Sequence, residues 1–172
     1  MLIVVEGIDR VGKTTLCNKL QEIGCKVFKD SLFKCLTECT NREKALLAAS
    51  SMHTLVNFAN LFPNEIVVLD RFHATEFVYG AIEREEFSLK AYERFVCIEA
   101  LLEKMEDNYL YVFVEPVDLS WSIQRHGKDL TKHQELFETV YETIDKKNKM
   151  KVNFYTLDEV VEKIKSSQGG VR

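Results

Sequence analysis

The sequence predicts an α/β fold in three layers, with a parallel β-sheet between two sets of helices. Three observations predict it. Apolar runs of strand length recur along the chain, helix-period segments separate them, and a glycine loop joins the first run to the first helical segment. With 172 residues, 7 Gly, 2 Pro and no repeat or low-complexity stretch, the chain reads as one domain over 1–172 with a full core.

The elements follow in order. Met1–Val5 is a continuous apolar run, as expected of a strand buried on both faces. After the loop, Leu16, Leu20 and Ile23 recur at i, i+4 and i+7, one face of a helix that Gly24 ends. Cys25–Phe28 is a weaker second strand. Arg42–Leu61 is helical by the spacing of Ala45, Leu46, Ala49, Met52, Val56 and Ala59. Ile66–Leu69 is the third strand, followed by a helix at Ala74–Ile82 and another at Ser88–Met105, N-capped by Ser88. Leu110–Val114 is the fourth strand, and helical patterns follow at Leu119–Gln124 and Gln134–Lys146. Lys146 to Lys149 reads as a solvated helix end. Val152–Leu157 is the expected fifth strand, with Asp158 capping a helix at Glu159–Ile164 and a frayed tail from Ser167. Trp121, Tyr109 and Tyr111 are expected in the core or the sheet.

The loop Gly7-Ile8-Asp9-Arg10-Val11-Gly12-Lys13-Thr14 fits G-x-x-x-x-G-K-[ST] with nothing missing. Each residue type has a task on a nucleoside triphosphate. Gly7 and Gly12 permit a backbone approach that a Cβ would block. Lys13 is a point charge for the β- and γ-phosphates. Thr14 offers its hydroxyl to Mg²⁺, and Thr15 is placed for the next phosphate oxygen. Backbone N–H groups and the helix dipole complete the anion site.

A second pair stands at the end of the third strand. Ile66-Val67-Val68-Leu69 delivers Asp70 and Arg71 to the sheet edge that carries the loop. A carboxylate there can hold Mg²⁺, and an arginine can grip a second phosphate in bidentate fashion. The plainer reading is an Asp capping the next helix, with Arg as its solvated partner.

Composition narrows the field. A net charge of −4 argues against a general nucleic-acid binder. No apolar run approaches the ~20 residues of a membrane span, and the apolar run before Glu6 and Asp9 is too short for a signal peptide. The five cysteines (Cys17, Cys25, Cys35, Cys39, Cys97) contain no C-x-x-C and read as reduced packing thiols of a cytoplasmic protein.

The residues together resemble the thymidylate kinase group of nucleoside monophosphate kinases. Val5 to Thr15 is similar to that family's E-G-[IL]-D-x-x-G-K-[ST]-T. Asp70-Arg71-Phe72-His73-Ala74-Thr75-Glu76-Phe77-Val78-Tyr79 resembles its D-R-Y-x-x-S-x-x-x-Y, with Phe for Tyr and Thr for Ser. Leu46 to Ala49 resembles its L-L-F-A-A stretch, and Arg125 to Asp129 sits where the family keeps a basic lid, around 125–133 here. The resemblance spans about Leu2 to Ile144. It implies the P-loop NTPase fold, with five parallel strands in the order 2-3-1-4-5. It also implies transfer of the ATP γ-phosphoryl group to a deoxynucleoside monophosphate, with ATP and Mg²⁺ bound. Carried over, Asp9 contacts the acceptor, Arg10 stabilises the transferring phosphoryl, Arg71 binds the acceptor phosphate, and Asp70 and Thr14 hold the metal. Val11 belongs to the loop around ATP. Phe72, Thr75, Glu76 and Tyr79 lie near the acceptor nucleoside. Arg125 sits near the adenine or phosphates when the lid closes. Family members usually form homodimers through helices beside the acceptor site; a monomer is the alternative.

The sequence departs from the family at the base-reading positions. Ser50-Ser51-Met52-His53 stands where an arginine reads thymine, Glu76 replaces Asn, Gln or Ser, and Phe28-Lys29-Asp30-Ser31 stands in place of R-E-P-G. Such departures are similar to those of small virus- or phage-encoded relatives, which act in the host cytoplasm. The acceptor is thus expected to be dTMP-like, dUMP-like or a modified pyrimidine. Two alternatives stay open: a deoxynucleoside kinase with an unphosphorylated acceptor, using Asp30 as base, and a non-catalytic nucleotide-binding regulatory module. His53, His73, Lys128 and Lys132 are left between surface and site roles.

Overall fold

A computed structural model describes residues 1–29, 54, 56–57, 64–83, 89–105, 108–144 and 146–169. Several expectations lie outside these residues: most of Arg42–Leu61, the stretch Leu46–His53, Asp30, Ser31, Cys35, Cys39 and the Ser88 cap.

The sheet is built around its most apolar strands. Strand β1 (Leu2–Glu6) is buried at every position and lies at the centre. It pairs in parallel with β3 (Val67–Asp70) on one side and β4 (Tyr109–Val114) on the other, Leu2 lying opposite both Val67 and Tyr109. The whole of β4 is buried too, including Tyr109 and Tyr111 as expected. Continuous apolar runs form strands here because helices cover both faces of the sheet. The edges read differently. Strand β2 (Lys26–Lys29) joins β3, and β5 (Lys149–Val152) joins β4. Each carries two lysines, which discourage further pairing. The order is β2-β3-β1-β4-β5, all parallel, the order that the resemblance implies.

Six helices are found among the described residues: α1 (Lys13–Glu22), α2 (His73–Glu83), α3 (Leu89–Glu103), α4 (Leu119–His126), α5 (Thr131–Thr143) and α6 (Leu157–Gly169). Helix α1 packs on β2 and β3 and against α6. Helix α2 packs against both α3 and α5. Parallel strands bring the carboxyl ends of β1, β3 and β4 to one edge, at Glu6, Asp70 and Val114.

The carboxy-terminal third differs from expectation. The fifth strand is Lys149–Val152, not Val152–Leu157. Its lysines alternate with Met150 and Val152, an edge-strand pattern that a search for continuous apolar runs passes over. The apolar residues beyond it belong to a turn. Asn153 Oδ1 accepts the Tyr155 N–H at 2.9 Å, and Thr156 Oγ1 accepts the Asn153 N–H at 3.0 Å. The turn leaves Phe154 and Tyr155 exposed. Asp158 lies inside the first turn of α6 rather than capping it, and α6 continues through Gly169 where a frayed tail was expected. Lys146–Asn148 forms a single 3₁₀ turn, while Lys149 opens β5. Helix α5 starts at Thr131, three residues early; its N-cap, Leu130, offers no side-chain cap, and Asp129 just before it accepts the Thr131 N–H at 2.9 Å.

Candidate active site

The glycine loop is shaped by two tight places. Gly7 has φ +135°, and a Cβ there would collide with the Val114 carbonyl of β4. Gly12 has φ +110°, and a Cβ would stand 3.0 Å from the Phe154 ring. Ile8 and Val11 are buried and pin the loop into the core. Asp9 and Arg10 project outward between them. Helix α1 begins at Lys13 with no side-chain cap at Gly12 and no acidic residue in its first turn. Its terminal N–H groups and dipole are therefore left for an anion.

Lys13 is buried and donates to the Ile8 carbonyl within the loop. Burial lowers its pKa to about 8, against smaller opposing pulls from Asp70 and Glu6. Burial likewise raises the Asp70 carboxyl, while Lys13 and Lys29 oppose the rise. The neighbouring Cys17 thiol is pushed up to about 12, first by burial and then by Asp70, so it stays protonated and inert.

Arg71 follows Asp70 on an unusual backbone. It has φ +74°, and Arg10 has φ +67°; among the described residues these are the two non-glycine positions in the left-handed region. Both are cations of the same site. The Arg71 guanidinium pairs with Asp9 of the loop and lies 5.5 Å from the centre of the Tyr79 ring. The segment after Arg71 is tied to β1 by Glu6. This fully buried carboxylate accepts N–H bonds from Phe72 (2.9 Å), Ala74 (3.1 Å) and Thr75 (3.2 Å), and the Thr75 hydroxyl. Burial raises the Glu6 pKa, with the Thr75 hydroxyl, His73 and Arg71 acting against it.

The loop, the Asp70–Arg71 edge and α4 enclose one cleft of about 820 Å³. Asp9, Arg10, Gly12, Lys13, Thr14 and Thr15 form its loop wall, and Asp70 and Arg71 its floor. Arg125 closes the far side, its guanidinium carbon 3.7 Å from the centre of the Trp121 ring. That spacing is a cation–π contact. Residues more than fifty apart in sequence thus line one cleft. Of the other predicted residues, Phe72 is packed in the core, Thr75 is bound to Glu6, Glu76 lies in the first turn of α2, and Tyr79 sits behind Arg71.

Trp121 corrects one expectation and Phe154 adds a wall residue. Trp121 is 40% exposed and lines the cleft instead of filling the core. Phe154 projects from the turn that replaces the expected strand. An aromatic one helical turn before Arg125 was the signal available for Trp121. His73 resolves to a buried residue joined to Glu99 and stacked on Phe95 at 5.0 Å. Lys128 is held by Glu83 at 2.5 Å, and His133 approaches the same carboxylate at 3.3 Å.

Thr14 and Asp70 line the same cleft and are the residues that fit a magnesium ion. Among the described residues no group of three His, Cys, Asp or Glu side chains could hold a metal alone. One carboxylate and one hydroxyl suit an ion that arrives on phosphate oxygens and keeps several waters.

This geometry and topology are those of a P-loop NTPase α/β fold, and solved structures share it. The YorR protein from Bacillus subtilis, in complex with phosphorylated GDP, aligns with a TM-score of 0.66 at 18% identity over 95% of this chain and 93% of its own. Thymidylate kinase from Ehrlichia chaffeensis aligns at 0.59 and 15% identity, over 95% and 97%. Deoxyadenosine kinase from M. mycoides with bound dATP aligns at 0.59 and 14% identity, over 96% and 100%. No family model matches the sequence, and no curated protein matches it. The likeness is one of fold. Among the described residues no helix is long and apolar enough to cross a membrane.

Proposed function

We propose that this chain is a thymidylate kinase-like enzyme that transfers the ATP γ-phosphoryl group to a deoxynucleoside monophosphate. The observation that carries this reading is the meeting of two anion sites in one cleft. The α1 amino terminus with Lys13 is one, and Arg71 beside Asp9 is the other.

In this reading ATP lies on the loop. Gly7, Val11 and Gly12 give the loop its shape, and Lys13, Thr14 and Thr15 meet the phosphates. Thr14 and Asp70 would hold a magnesium ion, which when bound would supply charge neutralisation for the transfer. Arg71 releases Asp9 and takes the acceptor phosphate in bidentate fashion. Asp9 is then free for the acceptor sugar. Phe72 and Thr75 shape the floor behind it, while Glu76 and Tyr79 face the acceptor nucleoside. Arg10 stands on the loop and stabilises charge on the moving phosphoryl. Arg125 approaches from α4 as residues 125–133 close as a lid over the single domain, which keeps water from the phosphoryl group. The acceptor phosphate is already ionised, so no general base is needed.

The fold likeness to a deoxyadenosine kinase supports a second reading, with an unphosphorylated acceptor. A 5′-hydroxyl has no charge to recruit Arg71, and the Arg71–Asp9 pair argues for the phosphorylated acceptor. Measuring ADP release with ATP and Mg²⁺ across nucleosides and their monophosphates tests this. Turnover is expected with a pyrimidine deoxynucleoside monophosphate such as dTMP, dUMP or a modified analogue. Turnover with nucleosides alone would overturn it, and the absence of any acceptor would favour a regulatory nucleotide-binding module. Arg10→Ala is expected to lower turnover by ~10²-fold or more with ATP binding still measurable.

A further inference from the structure

We infer that Glu6 is a positioning residue for Arg71, fixing the backbone from which that guanidinium reaches the acceptor phosphate. The inference rests on the reading of Arg71 given above. Arg71 stands at φ +74°, a conformation that persists in a non-glycine residue only where its surroundings hold it. Two hydrogen bonds do so, one on each side. The Arg71 N–H donates to the Val5 carbonyl at 3.0 Å, and the Phe72 N–H donates to Glu6 Oε1 at 2.9 Å. Consecutive residues of β1 therefore clamp the two peptide groups that flank Arg71.

Glu6 is suited to this in a way that a nearby cap would not be. Phe72, the residue before α2, has no side chain able to cap the helix. A carboxylate from another strand takes that place and binds the N–H groups of Ala74 and Thr75 and the Thr75 hydroxyl as well. Its negative charge meets the positive end of the helix dipole, which makes a buried carboxylate tolerable. The phosphate loop leaves β1 at the next residue, Gly7. One side chain thus registers the acceptor-side arginine against the donor loop.

A purely structural cap would affect both substrates alike, whereas a positioning role separates them. The test uses Glu6→Asp, whose shorter carboxylate cannot span Phe72 and Thr75 together. The acceptor KM is expected to rise at least ~10-fold with the ATP KM within ~2-fold, because a displaced contact costs orientation. In an Arg71→Lys background the same change should add less than ~2-fold to the acceptor KM, because coupled residues are non-additive. An equal rise in both KM values, or a full additional factor in the Arg71→Lys background, would overturn the inference. Circular dichroism establishes that the variant folds. If it does not, Glu6→Gln keeps the reach but loses the charge, and the acceptor KM should still rise by ~3-fold or more; an unchanged value overturns the inference. A wild-type protein that turns over no monophosphate sinks the kinase reading instead, so the two failures are told apart.

Discussion

Lys13 concentrates the opposition between stability and chemistry at this site. Its ammonium is buried, and burial lowers its pKa from 10.5 to about 8. The unfolded chain therefore binds this proton more tightly than the folded one. By linkage, Lys13 costs stability in full below pH 8, and that cost falls as pH rises from about 8 toward 10.5. Lys13→Met is accordingly expected to raise unfolding stability at pH 7 by ~1–3 kcal/mol, a gain that shrinks by pH 10, while turnover falls by at least ~10²-fold. Urea titrations of both proteins at the two pH values check this, and equal stabilities at pH 7 would contradict it. The loop residues were legible in the sequence because they are contiguous and each type has a fixed task on phosphate. Trp121 and Phe154 were not. Their place in the cleft depends on where α4 and the Asn153 turn fall in space, and their apolar character reads equally well as core.

At the scale of elements, the strand-to-loop-to-helix unit depends on how closely β4 passes. Gly7 and Gly24 both have positive φ, yet a Cβ on Gly7 meets the Val114 carbonyl and one on Gly24 meets nothing within 4 Å. Gly24→Ala should cost only backbone strain, about 1 kcal/mol. Gly7→Ala must also displace β4 backbone, and a loss of ~2–4 kcal/mol is expected. Thermal or denaturant unfolding of the two variants separates strain from collision; equal losses would mean that the loop yields freely. The same contrast explains which elements could be read. Strands β1, β3 and β4 are continuous apolar runs because the sheet interior demands them. Strand β5, at an edge, satisfies only one side and keeps Lys149 and Lys151, so its apolar signal is diluted. The exposed aromatics after it carried the signal to the wrong residues.

Across the whole molecule, the parallel sheet turns sequence distance into proximity. The loop after β1 and the pair after β3 emerge at one edge because both strands run the same way, with Val5 opposite Asp70. That much follows from strand order and could be anticipated. Which base an acceptor carries is a matter of side chains from several elements, and strand order carries no information about it. The central claim is that two phosphates meet in the cleft and that a phosphoryl group passes between them rather than to water. The most direct measurement is ³¹P NMR of the products formed from ATP, Mg²⁺ and each common deoxynucleoside monophosphate in turn. The account predicts ADP and a deoxynucleoside diphosphate in equal amounts with at least one acceptor, and little inorganic phosphate. ADP with inorganic phosphate alone, whichever monophosphate is supplied, would contradict it.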